Sequence, residues 1–120
     1  MKSFTKKTTK QNLYKEYVKI LNGVLQLSYR EAEVFAMLLK LNDEWAEVVA
    51  NSNNILSTDI RKKIMNDTRI TKTNLVKYVG VLKDKNIIIA NEFGGWSINE
   101  TFIPYFTAGI NETVFILDAF

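Results

Sequence analysis

The chain contains no cysteine and no histidine, and only one proline. Without cysteine there is no disulfide framework and no thiolate metal site. Without histidine as well, the commonest general base and the strongest nucleophile are both missing. Zinc would have to rest on carboxylates alone, an unusual donor set. No Gly-rich phosphate loop is present. Carboxylate pairs exist, but Glu31 and Glu33 are two apart and point different ways on a helix. Glu44 and Glu47 have no convergent partner. No enzymatic activity, no cofactor and no metal are therefore expected. No apolar run approaches the roughly 18 residues of a membrane span. The opening MKSFTKKTTK is basic, but no unbroken apolar segment follows it, so no secretory signal and no membrane association are expected. A cytoplasmic location fits these absences.

What is present is a chain of 120 residues, enough for one domain with its own core, with the 47% apolar content usual for a globular fold. The net charge of +3 hides a segregation along the chain. Residues 1–27 carry a balance of +5 and residues 28–50 one of −3. Residues 51–90 return to +5, and residues 91–120 hold four acids with no lysine or arginine. A polyanion would be met by the first and third of these segments. The abundance of Asn, Lys and Ile suggests an AT-rich genome, as in a phage, a plasmid or a low-GC bacterium.

Residues 1–9 lack periodicity and read as a flexible basic arm whose Lys6 and Lys7, with Lys10 just beyond, are suited to phosphate contacts. From Lys10 the pattern turns helical, with Leu13, Tyr17, Ile20, Leu21 and Val24 on one face and an end near Leu25, after Gly23. Ser28 and Glu31 form a capping box ahead of Val34, Phe35, Met37, Leu38 and Leu41, which marks a central core helix running to about Asn42. Trp45 and the run Ala46 to Ala50 read as a short strand that would pair with a later hairpin, and Asn51 to Asn54 as a loop.

The stretch Ile55–Ile89 carries the functional signal. Ser57 or Thr58 can cap a first helix with Ile60 and Ile64 on one face. Asn66, Asp67 and Thr68 break that pattern. Thr71 offers a second cap, before a stripe of Leu75, Val79 and Leu82 with Tyr78 beside it. Asn86 supplies a left-handed stop, and Ile87–Ile89 reads as a buried strand. Trp96–Asn99 returns from a turn at Gly94 and Gly95, which completes a hairpin. The fold class expected is mainly α with a small β hairpin, that is α+β. Residues 10–105 form the domain, and residues 106–120 an apolar extension packing on it or on a second subunit. On the polar face of the helix over 71–85, Lys72, Thr73, Asn74 and Lys77 occupy the first two turns. Lysine bonds guanine acceptors or phosphate, asparagine pairs with adenine, and threonine reaches a base edge or a thymine methyl. Such a face is suited to the major groove of DNA.

The order of elements resembles the winged helix-turn-helix family over roughly residues 13–105. LSYREAEVFAMLL is similar to that family's opening core helix, and STDIRKKIMNDTRITKTNLVKYVGVLKDKNIII to its helix-turn-helix and first wing strand. GGWSINETFIP resembles the return strand and exit of small plasmid and phage replication initiators; MarR-like regulators share the core but have long dimerisation helices. The family usually has glycine where this chain has Asn86, which makes the same left-handed turn. The resemblance implies a double-stranded DNA-binding protein, a transcription regulator or a replication initiator, working as a homodimer on paired half-sites. Lys72, Thr73, Asn74, Lys77 and Tyr78 would read bases, while Arg61, Lys62, Lys63, Arg69, Thr71 and the N-terminal lysines would hold phosphate. The hairpin tip departs from the family, since it carries Glu92 and Phe93 and no positive charge. That departure keeps a second reading open: a protein-interaction module within a larger assembly, docking through the acidic, aromatic C-terminal third.

Overall fold

A computed structural model describes residues 2–6, 13–108 and 113–117, with side chains from 13 to 104. Five helices dominate: α1 Leu13–Leu25, α2 Tyr29–Glu44, α3 Ala46–Ser52, α4 Thr58–Thr68 and α5 Lys72–Asp84. Strand β1 is Lys2–Lys6, and the antiparallel hairpin β2 Ile88–Ala90 with β3 Trp96–Ile98 follows α5. A 3-10 turn at Glu100–Phe102 leads to β4 Tyr105–Ala108 and β5 Thr113–Leu117. The fold is thus mainly helical with a small hairpin, an α+β arrangement.

α2 is the central element, packed against α1, α3, α4 and α5. Its capping box forms as the sequence indicates. The Glu31 amide donates to Ser28 Oγ at 3.3 Å, and the Ser28 amide donates to Glu31 Oε1 at 2.9 Å. Six of its side chains are buried, Val34, Phe35, Ala36, Leu38, Leu39 and Leu41, which spans more than one face and fits a helix with neighbours on several sides. It runs to Glu44, slightly past the expected end.

α1 ends at Leu25 as expected, but its buried face is rotated. Tyr17, Val18, Leu21 and Leu25 are buried, while Val24 is 66% exposed. The spacing of 1, 3 and 4 centres the stripe on Val18 and Leu21, and Val24 falls outside it. The turn into α2 is closed by Asn22, whose Oδ1 accepts from the Leu27 amide at 2.6 Å and whose Nδ2 donates to the Leu27 carbonyl at 3.1 Å.

The segment expected as a strand over Ala46–Ala50 is helix α3 instead. Trp45 ends α2 and opens α3 at once, its carbonyl accepting from the Val49 amide at 3.0 Å. No α3 residue is buried, so the two valines lack the enclosed sheet that would have favoured extended backbone. Asn53, left-handed at φ 51°, stops the helix. Pairing with the hairpin reduces to the residues just after it. The Ile55 amide donates to the Trp96 carbonyl at 2.9 Å, and Asn54 Oδ1 accepts from the Trp96 amide at 3.2 Å.

Asn66, Asp67 and Thr68 do not interrupt α4; they form its last turn, and the break comes at Arg69, left-handed at φ 60°. Thr68 tolerates the helix by donating Oγ1–H to the Ile64 carbonyl at 2.6 Å. Ser57 is the N-cap residue, but its side chain makes no capping bond. Thr71 caps α5 by accepting from the Asn74 amide at 3.3 Å, and Asn86 takes the left-handed turn at φ 59°.

β1, β5 and β4 form a three-stranded antiparallel sheet in that order, with Phe4 opposite Phe115 and Phe115 opposite Phe106. The sequence places Lys2–Lys6 in an arm without regular structure. A threonine and an aromatic in so short a run suit extended backbone once a partner strand is supplied, and Thr113–Leu117 supplies it. Lys7 and Lys10, and the end of the extension at residues 118–120, lie outside the described residues.

Candidate nucleic-acid interface

α5 is held by one face and open on the other. Leu75, Val79 and Leu82 are buried against the core, with Leu82 fully enclosed. Lys72, Thr73, Asn74 and Lys77 are all exposed, on the opposite side of the same N-terminal turns. No acidic residue sits in the first turn of α5. Its free amides, the positive end of its dipole and Lys72 therefore act together, and all three favour an anion. Thr71, exposed, already spends its hydroxyl on the cap.

Tyr78, expected among the base-reading residues, is half-buried and packs against the core. Val76 also stands beside the polar four. It is 58% exposed, although its sequence neighbour Leu75 is enclosed. The phase of Leu75, Val79 and Leu82 carries the signal for this, because Val76 lies about 100° round the helix from Leu75 and off that stripe. An exposed valine there can meet a thymine methyl.

The cations expected to hold phosphate divide between two sides of α4. Lys62 and Lys63 line a shallow depression with Trp45, Val48 and Asp59, facing α3. Lys63 is engaged by Asp67, Nζ to Oδ2 at 3.1 Å. Arg61 faces the other way, into a groove of about 220 Å³ between α4, α5 and the hairpin, with Val76, Lys83 and Trp96 along its walls. Arg61 Nε and Ser57 Oγ are buried and have no hydrogen-bond partner among the described residues. Arg69 is exposed at the turn between α4 and α5. Lys6 lies in β1, and its side chain is outside the described residues.

Two further lysines have roles that charge counting does not reveal. Lys83 sits over the Trp96 ring, 3.9 Å from its centre, and ties α5 to the hairpin. Lys85 reaches back to α1 and donates to the Leu25 carbonyl at 2.8 Å, satisfying a C-terminal orphan acceptor.

The hairpin tip is held by its own hydrogen bonds. Asn91 Oδ1 accepts from the amides of Phe93 and Gly95, each at 3.0 Å. Asn91 Nδ2 donates to the Asn53 carbonyl at 2.8 Å and to Ser97 Oγ at 3.0 Å. Glu92 and Phe93 are left exposed at its end. Among the described residues no group of three or more potential metal-ligating side chains occurs. No described helix is long and apolar enough to cross a membrane.

No family model, curated protein or solved structure matches the chain.

Proposed function

We propose that this protein binds double-stranded DNA with α5 in the major groove, as a winged helix-turn-helix protein of the regulator or replication-initiator kind, in the cytoplasm. One observation carries the reading. Lys72, Thr73, Asn74 and Lys77 stand exposed together on the first turns of a helix whose other face is locked into the core. In this reading α4 and α5 are the helix-turn-helix and β2–β3 is the wing. Lys72 and Lys77 bond guanine or phosphate, Asn74 pairs with adenine, and Val76 and Thr73 meet thymine methyls. Arg69 holds phosphate beside the turn, and Arg61 reaches it from the groove under the wing.

The test is the salt dependence of affinity for a duplex selected from a random library. Replacing Lys72 and Lys77 together by alanine should weaken binding and reduce the slope of log affinity against log salt by about 2, nearly one unit for each phosphate that is no longer neutralised. An unchanged slope rules out any pairing of these lysines with the DNA backbone. The exposed Glu92 and Phe93 favour a second reading, a module that joins a protein assembly. Weak retention on heparin and no mobility shift with mixed duplex DNA would favour it over the first.

A further inference from the structure

We propose that this chain associates head to tail with copies of itself, the hairpin tip of one copy seating in the groove between α1 and α2 of the next. The tip presents Phe93, 66% exposed, with Glu92 beside it. An exposed aromatic on backbone this firmly bonded costs little entropy to dock, which is the property of an anchor residue. It is not seated in its own groove, because it is exposed and its hairpin is tied to Asn53 and Asn54.

The complementary surface is on the same chain. Between α1 and α2 lies a cavity of about 500 Å³ with more apolar than polar lining. Val18, Ala32 and Ala36 form its apolar part; the two alanines leave the space, and Tyr29, 81% exposed, stands at its edge. Charge complements the apolar contact. The two acids along the groove are both engaged, Glu33 by Arg30 at 2.6 Å and Glu16 by Lys19 at 4.0 Å. Lys15, also lining the groove, has no ion-pair partner among the described residues, and neither has Glu92. An aromatic with an adjacent acid thus meets a groove with an apolar floor, a charged rim and a lysine without an ion-pair partner among the described residues.

A contact between two different patches, repeated in one direction, extends unless its rotation closes a ring. A two-fold pair would instead need each tip to enter the other copy's groove at once, and sedimentation that stops at a dimer would show that arrangement and overturn the head-to-tail one. Such association does not depend on DNA binding. Combined with it, copies would line up on tandem sites rather than on a palindrome.

The absence of cysteine makes the test clean. Protein carrying Phe93→Cys is mixed with protein carrying Ala32→Cys under mild oxidation, each also being incubated alone. The mixture should form a disulfide-linked pair that neither forms alone, because only the mixture brings the two positions within disulfide reach. Cross-linking of Phe93→Cys with itself would mean that hairpins meet each other, and no cross-linking even at protein concentrations about tenfold above those at which wild type associates, which offset the lost aromatic, would mean that the groove does not take the tip; either overturns the proposal. Adding Glu92→Lys to the first protein should suppress the link, and adding Lys15→Glu to the second should restore it. Failure of that rescue removes the charge pairing on which the proposal stands. Sedimentation provides a check without cysteine, since Phe93→Ala should weaken self-association by about tenfold or more, whereas a wild-type protein that stays monomeric at high concentration refutes the interface.

Discussion

At the scale of single residues, the hairpin depends on one close approach. A Cβ on Gly95 would run into the Asn53 carbonyl oxygen, with Asn54 Cβ at 3.0 Å and the Asn53 carbonyl carbon at 3.1 Å behind it. The obstacle is backbone, which cannot swing aside as a flexible side chain would. Gly95→Ala should therefore push the hairpin off the Asn53–Asn54 loop and cost about 1–3 kcal/mol, the usual range for forced overpacking. A fall in the urea midpoint at unchanged m-value checks this. A midpoint equal to wild type would mean that the loop gives way freely. Gly94 and Gly95 are legible in the sequence as a turn, but that the second of them sits under another loop is not. The close approach comes from Asn53, some 40 residues earlier, and no local pattern encodes it.

At the scale of elements, the turn between α4 and α5 sets the angle at which the exposed face of α5 is presented. Its pivot is Arg69, a non-glycine residue held left-handed at φ 60°. That conformation costs an L-residue about 1–2 kcal/mol, which glycine avoids, while glycine gives back about 0.5–1 kcal/mol in backbone entropy. Arg69→Gly should then raise stability by up to about 1 kcal/mol, while under the proposed DNA-binding reading affinity for duplex falls because one phosphate goes unheld. Paired urea and mobility-shift measurements check it, and affinity unchanged in the variant would remove Arg69 from the interface. The same turn shows what element-level reading of a sequence can reach. The caps at Ser28 and Thr71 and the left-handed stop at Asn86 are local signals, and each is where the residues put it. The end of α4 is displaced to Arg69 because polar residues in a last turn satisfy themselves within the helix, as Thr68 does. The strand expected at Ala46–Ala50 is absent for a related reason, since two valines decide nothing when no sheet receives them. On the interface, the exposed lysines, threonine and asparagine of α5 are readable from spacing. The opposed directions of Arg61 and of Lys62 with Lys63 are not, since they depend on which neighbour each side of α4 faces.

At the scale of the molecule, long-range pairings join the first helix to the far end of the described core. Tyr17, fully buried in α1, donates its hydroxyl to the Phe102 carbonyl at 2.7 Å. Tyr14 donates to Asp43 Oδ2 at 3.0 Å, joining α1 to the C-terminal turn of α2. Both phenols are held above their ordinary range. For Tyr17 the cause is burial, and for Tyr14 it is burial first, then the hydrogen bond to Asp43 and the negative charges of Asp43 and Glu44. In the unfolded chain a phenol loses its proton near pH 10. The folded chain keeps both, so above that point it binds more protons than the unfolded chain. The stabilisation is fully present below about pH 10 and is lost as pH rises beyond it, by at most about 1.4 kcal/mol per pH unit for each phenol. Tyr14, the more exposed of the two, contributes less because solvent screens it. We expect the urea midpoint of wild type to fall between about pH 9 and 11, and that of Tyr14→Phe with Tyr17→Phe to fall less steeply, from a lower starting value. The lower start reflects the missing hydroxyl bonds, about 1 kcal/mol each, and the gentler slope reflects the protons no longer at stake. Parallel curves for the two proteins would mean that the phenols do not carry the alkaline sensitivity, and equal starting values would mean that the tie from α1 to Phe102 contributes through packing alone.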